Sequence, residues 1–287
     1  MRRTRHPFPV LLSMLLCCLQ SQVKAEEPVR IHVSIPPQKF LVERIGGNRV
    51  EVAVLLKQGM NPESYEPTPR QMARLNSSTL YFRIGVPFEE VWIKQVAELN
   101  PELAIIPCCG SLGAITHDHS DEEQYLKDTH VWTSPDNAKE LARIIQDALI
   151  EHDDVNTAFY SKNFERLAEE LDQLDLKIKH NLEKVRHRYL IVSHPSWGHF
   201  AERYQLKQVP IERHGSELRA RELARLVNLI NATGIKVIYV QPQYKTTAAK
   251  VLVRETGASM IEIDPLAENY IENLEKISKL IRKGNNQ

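Results

Sequence analysis

Residues 156–186 contain neither proline nor glycine, and Leu167, Leu171, Leu174, Ile178 and Leu182 recur there at three- and four-residue steps among Glu, Lys and Asp. That spacing gathers the apolar side chains on one stripe of a helix. The run predicts a single helix of roughly 30 residues, about 45 Å long at 1.5 Å per residue. Such a stripe needs a surface to lie against along its whole length. Either the helix pairs with a second copy as a coiled coil, or it spans two lobes of its own chain.

The flanking sequence favours the second arrangement. Before the helix, β-branched runs at 29–35, 50–56, 79–84 and 103–107 read as strands, alternating with helical patterns at 37–45, 69–75 and 89–99. After it, runs at 189–193, 208–211, 236–241 and 260–263 read as strands, with helical stretches at 200–204, 217–231 and 246–256 between them. Alternation of this kind implies βαβ units and parallel sheets. The expected fold is α/β: two Rossmann-like lobes with parallel sheets, residues 26–153 and 188–287, bridged by one long spine helix at 154–187.

Residues 1–25 read as a secretory signal. Arg2, Arg3 and Arg5 give a positive start, 8–19 an apolar stretch, and Val23-Lys24-Ala25 small residues where a leader peptidase reads. The apolar stretch is too short, and too soon followed by Glu26 and Glu27, to span a bilayer. Cys17 and Cys18 suggest a lipid anchor, but Leu15-Leu16 lacks the small residue expected before a lipidated cysteine. A soluble exported protein, periplasmic or otherwise extracytoplasmic, is the expectation. Without the signal, 33 Lys plus Arg face 37 Asp plus Glu, so nothing resembles the basic stripe of a nucleic-acid binder. Cys108 and Cys109 are then the remaining cysteines; being adjacent, they are expected to close a buried strand as small residues rather than to staple the fold.

Ligands of open α/β sheets bind beyond the carboxyl ends of the strands. The residues just past the expected strands include Glu63, in Gly59-Met60-Asn61-Pro62-Glu63-Ser64-Tyr65; His130, ahead of the helix expected from Asn137; His194, in Ser193-His194-Pro195; and Asp264, before Pro265. Each signal is weak alone. An imidazole at a strand end is commonly a hydrogen-bonded structural residue, and an acid before proline commonly a turn acceptor. Their convergence on one cleft, two from each lobe, carries the inference. Two imidazoles and two carboxylates suit a divalent transition metal: imidazole suits zinc, and carboxylates move the balance toward manganese or ferrous iron. Because affinities rise along the first-row series, zinc remains a strong competitor at any such site.

Several segments carry a resemblance. Gly59 through Pro69 is similar to the "G-x-D/N-P-H-x-Y-E-P-T-P" segment of the cluster A-I solute-binding proteins, the zinc- and manganese-binding components of ABC importers. Asp128 through Ala138 resembles that family's "D-P-H-x-W-x-D/S-P-x-N-A", and His194 with Gly198-His199-Phe200-Ala201 resembles its "F-H-x-x-x-G-Y-F-A". Gln241 to Tyr244, Glu255 to Ala258 and Asp264-Pro265-Leu266 resemble its closing segments. The resemblance runs through nearly the whole mature chain and implies two α/β lobes on a helical backbone, with a metal between them. Two departures stand out. The family's first ligand is usually His where this chain has Glu63, which would ligate directly or through a water; Thr129 replaces the usual proline before His130. The long histidine-rich insertion of many zinc-specific members is reduced to His117 and His119.

The resemblance implies capture of Zn2+ or Mn2+, with Fe2+ also compatible, by a monomer that delivers the ion to an ABC permease. Glu66, Asp128 and Ser134 are candidates for orienting the imidazoles; among His152, His199 and His214, the segment shared with His194 makes His199 the nearest to the site. Two rivals remain. A metallohydrolase would use the same cluster with one open position, although the chain has no H-E-x-x-H motif. An adhesin without metal function would leave the four-residue convergence unexplained.

Overall fold

The computed structural model describes residues 27–109, 112, 128–213 and 216–287. The signal segment, the loop bearing His117 and His119, and His214 lie outside the described residues. The N-terminal lobe runs β1 (Val29–Val33), α1 (Pro36–Gly46), β2 (Val50–Val54), α2 (Pro69–Asn76), β3 (Leu80–Arg83), α3 (Pro87–Leu99), β4 (Ala104–Pro107) and α4 (Pro135–His152). Then comes α5 (Thr157–Leu182). The second lobe holds β5 (Tyr189–Val192), α6 (Gly198–Arg203), β6 (Lys207–Pro210), a short hairpin of β7 (Glu212–Arg213) and β8 (Ser216–Glu217), α7 (Ala220–Thr233), β9 (Val237–Val240), α8 (Thr247–Thr256), β10 (Ser259–Glu262) and α9 (Tyr270–Gly284).

Each lobe has a four-stranded parallel sheet, ordered β2-β1-β3-β4 and β10-β9-β5-β6. The two orders are the same when each lobe's strands are counted from its own start. In both sheets the topology reverses beside the first strand, which opens a crevice at the strands' carboxyl ends. Local chemistry sets the helix limits. Helices α1, α2, α3 and α4 begin at prolines, whose missing N–H costs nothing in a first turn. Thr68 and Gln71 form a reciprocal cap on α2. Helices α7 and α8 stop at Gly234 and Gly257, both with φ +71°, where a side chain would strain the backbone.

Helix α5 is the expected spine, 26 residues long. It is shorter than the 156–186 run because the chain leaves the helix after Leu182 to enter β5. Tyr160, Leu167, Leu171, Leu174, Ile178 and Leu182 form its buried stripe, which packs on α1 and α4 of one lobe and α9 of the other. The spine therefore lies across its own chain, as the two flanking series required. Helix α7 starts later than the 217–231 pattern suggested, since Glu217 belongs to the hairpin. Cys108 and Cys109 are buried just past β4. No described helix is long and apolar enough to cross a membrane.

The lobes are also fastened directly. The Trp132 indole donates to the Pro265 carbonyl at 2.8 Å, and the Tyr270 hydroxyl donates to the Trp132 carbonyl at 2.6 Å. His199, buried on α6, bonds through Nε2 to the Asp128 carbonyl at 3.0 Å and through Nδ1 to Asn137 at 3.1 Å. Lys39 pairs with Glu268, and the Phe40 and Tyr270 rings stack at 5.8 Å. These contacts hold the Asp128–His130 loop of one lobe against the other.

Candidate metal site

Three of the four expected ligands meet in the cleft. Glu63 leaves the loop after β2, His130 the loop before α4, and His194 the end of β5. Glu63 Oε1 stands 3.3 Å from His194 Nε2, and the His130 and His194 rings lie edge to face with centroids 5.4 Å apart. Asp264 follows β10 one residue before Pro265, whose carbonyl is the acceptor of Trp132, so the interlobe fastening brings it toward the His130 loop. Among the described residues, Asp264 makes no hydrogen bond or ion pair with the other three. Nor is any set of three or more His, Cys, Asp or Glu side chains among them drawn to metal-holding spacing.

Each imidazole is held by a carboxylate on its far side. Asp128 Oδ1 lies 2.8 Å from His130 Nδ1 and also accepts the His130 backbone N–H at 2.9 Å. Glu212 Oε1 bonds His194 Nδ1. With both Nδ1 atoms engaged, the nitrogen left to each ring is Nε2. At His194 this atom is buried and without a hydrogen bond, since Glu63 Oε1 faces it at ion-pair distance but outside hydrogen-bond geometry. With the ring proton on Nδ1, toward Glu212, a lone pair and a carboxylate oxygen face one another there. A cation between them would bond both.

Electrostatics reinforces this state. Burial, helped by the neighbouring His130 ring and opposed by Glu63 and Asp128, pushes the His194 imidazole down to about 3. Burial lifts the Glu212 carboxyl to about 7. Both shifts have one cause, the loss of water around a charged form. The imidazole is thus neutral at ordinary pH, as a metal ligand must be.

The surroundings restrain the donors further. Tyr244 stacks flat on the His194 ring, 4.0 Å between centroids and 11° between planes. Gln241 donates to the His194 carbonyl at 3.1 Å and to Ser196 Oγ at 2.7 Å. Asp264 Oδ1 accepts from Gln243 Nε2 at 2.6 Å and from the Leu266 N–H at 2.9 Å. Of the three candidates for orienting an imidazole, Asp128 does so. Glu66 is exposed, and Ser134 is buried at the start of α4, neither bonded to an imidazole. His152 is exposed, and His199 serves the interlobe seam instead of touching the ligands. Glu212, Gln243 and Tyr244 were not among the expected site residues. Glu212 satisfies the same strand-end rule as the others, being an acid two residues past β6.

Known proteins share this fold and much of this sequence. The family profile described as zinc-uptake complex component A, periplasmic (ZnuA) matches residues 31–284. A crystal structure of ZnuA superposes with a TM-score of 0.85 at 32% identity, covering 90% of this chain and 100% of that one. A protein of Chlamydia trachomatis serovar D named for metal binding is 29% identical over 269 residues, 93% of this chain and 95% of its own length. The high-affinity zinc uptake system protein ZnuA of Bacillus subtilis is 26% identical over 244 residues, 80% of this chain and 76% of that one. With its two sheets of one topology, its spine helix and a profile match across nearly all the described residues, the chain belongs to the family of the periplasmic zinc-uptake component A.

Proposed function

We propose that this protein captures a divalent transition metal between its lobes, zinc first, and hands it to an ABC permease. The observation that carries this reading is the pair of imidazoles anchored through Nδ1, with Glu63 Oε1 set 3.3 Å from the open His194 Nε2. Glu63, His130, His194 and Asp264 are the proposed ligands. Ligation by all four requires Glu63 and Asp264 to draw in toward the imidazoles. Glu63 sits on an exposed loop and has the freedom to move, whereas His194 is buried and fixed. The neighbouring carboxylates and amides orient donors, which suits a site that binds and releases its cargo. The family's extracytoplasmic setting fits the signal-like residues 1–25. The chain acts as a monomer, because its spine stripe is consumed by its own two lobes.

Manganese is the second reading, favoured by Glu63 itself: a carboxylate in place of an imidazole makes a harder site. Calorimetry of metal-free protein with zinc and with manganese, run singly and in competition, tests both. Zinc should bind more tightly, and Glu63→Ala, His130→Ala, His194→Ala and Asp264→Ala should each weaken it. Full affinity in all four variants would remove the site from this cleft.

A further inference from the structure

We propose that Glu212, carried by the β7–β8 hairpin, is a positioning residue for metal capture that locks the His194 ring with its Nε2 toward Glu63. The proposal rests on the metal-binding reading above. It adds a residue outside the ligand set and a task for a hairpin that belongs to neither large sheet.

An imidazole at the end of a strand can turn about its Cβ–Cγ bond, exchanging the edges it presents to the cleft. It can also carry its proton on either nitrogen. Only one combination gives a metal the Nε2 lone pair. At His194 three contacts exclude the others. Gln241 pins the backbone carbonyl, and the Tyr244 ring covers one face. Neither contact distinguishes the two nitrogens. Glu212 does, because its carboxylate oxygen bonds Nδ1 and thereby keeps the proton there. The imidazole itself stands between Glu212 and Glu63, each bonded to or facing an opposite ring nitrogen, so Glu212 is not a fifth ligand. Asp128 does the same for His130, but from two residues away on one loop. Glu212 comes from a separate element 18 residues along the chain, so the ring's orientation depends on the hairpin being docked. Its side chain is 15% exposed, leaving room for substitution without opening a deep core.

The experiment uses the full chain with zinc alone as probe, in competition with a chromogenic chelator. Imidazole 15N resonances of the metal-free protein report the His194 tautomer. Glu212→Ala should bind zinc roughly 10–100-fold more weakly, the usual cost of losing a carboxylate behind a ligating imidazole, and its His194 signals should show mixed tautomers. Glu212→Gln, whose amide oxygen still accepts from Nδ1, should keep the tautomer and fall between wild type and Ala. Should Glu212→Ala lose the fold, Glu212→Leu repeats the deletion with the volume filled. Unchanged zinc affinity on deletion overturns the proposal. So does weakened binding with the tautomer intact, or a Gln variant as weak as Ala. His194→Ala separates the two levels: if it keeps full zinc affinity, the ligand assignment itself falls, whereas a weak His194→Ala beside an unaffected Glu212→Ala removes only Glu212.

Discussion

Single residues away from the cleft hold much of the scaffold that positions it, and two make sharp predictions. Glu89 is fully buried on α3, where its carboxylate accepts from the Ser34 hydroxyl, the Ile84 and Gly85 backbone N–H groups at 2.9 and 2.8 Å, and Arg83 Nε at 3.3 Å. Glu89→Ala strands the Ile84 and Gly85 N–H groups, whereas Ser34 keeps Tyr81 and Arg83 keeps Glu90. At about 1–3 kcal/mol for each buried donor left unpaired it should cost about 2–6 kcal/mol in denaturant unfolding, and a loss under about 1 kcal/mol would contradict the network's role. His32 is buried on β1, bonded to Ser78 at 2.6 Å, and burial followed by the Arg74 charge pushes its imidazole down from 6.5 to about 4. The folded ring stays neutral where the unfolded one takes up a proton. Its contribution is therefore whole above pH 6.5, drains away as pH falls to about 4, and is constant below that. The window corresponds to about 3 kcal/mol. Wild type should lose that much more stability than His32→Gln between pH 6.5 and 4 in parallel denaturant series, and equal slopes would show that burial does not hold the ring neutral. Neither residue was legible in the sequence, because a polar residue on a buried strand or helix start declares no partner until the fold supplies one.

Elements were read more easily than their tasks. The strands were legible as short runs rich in β-branched and aromatic residues between helical patterns, although β1 is interrupted by Arg30 and His32 and β6 is half polar. The spine was legible from one periodic stripe without a breaker. Helix α9 carries the same signal in Leu274, Ile277 and Ile281, yet what it does rests on polar atoms that no spacing reveals. Asn285, just past it, donates to the His187 and Tyr189 carbonyls at 2.7 and 3.1 Å and accepts from the Tyr239 hydroxyl at 2.9 Å, tying the helix end to the start of β5. Gly284 lets that end approach the sheet. A Cβ there would lie 2.5 Å from Tyr239 Oη and 3.0 Å from Val237 Cγ2. Gly284→Ala should therefore lift the helix end and destabilise by about 1–3 kcal/mol, as overpacking does; a change within 0.5 kcal/mol, roughly the range of neutral surface substitutions, would show that the seam adjusts freely. The β7–β8 hairpin lay beyond sequence reading for a different reason. Two residues per strand are too few to show alternation, so Glu212 could be found only by treating every strand end alike.

At the scale of the molecule, the packing is continuous where the lobes meet and divided where they do not. Leu190 and Val192 of β5, with Val237 and Tyr239 of β9, join one core with Ile31 and Val33 of the first lobe, Leu167 and Leu174 of the spine and Leu274 of α9. Their alternates Ile191, Ile238 and Val240 face the other way, into a smaller core with Leu226 and Ile230 of α7 and Leu252 of α8. The period-two alternation of a strand thus assigns the two faces of the second sheet to different cores. The loops bearing the proposed ligands leave strands that belong to this shared core, which ties the two sides of the cleft to one packed body. The outer layer of α7 and α8 lacks that support. Local opening follows the distribution of buried contacts, so hydrogen exchange should separate the two regions. Amides of β1, α5 and β5 should exchange together at the slow rate of global unfolding, because one core holds both lobes and the spine. Amides of α7 and α8 should exchange faster. Uniform slow exchange through α7 and α8 would join the cores into one unit, and fast exchange across the whole first lobe would mean that the spine does not couple the lobes. Since the Glu212 hairpin leads directly into α7, exchange in this layer also measures how firmly the residue behind His194 is held.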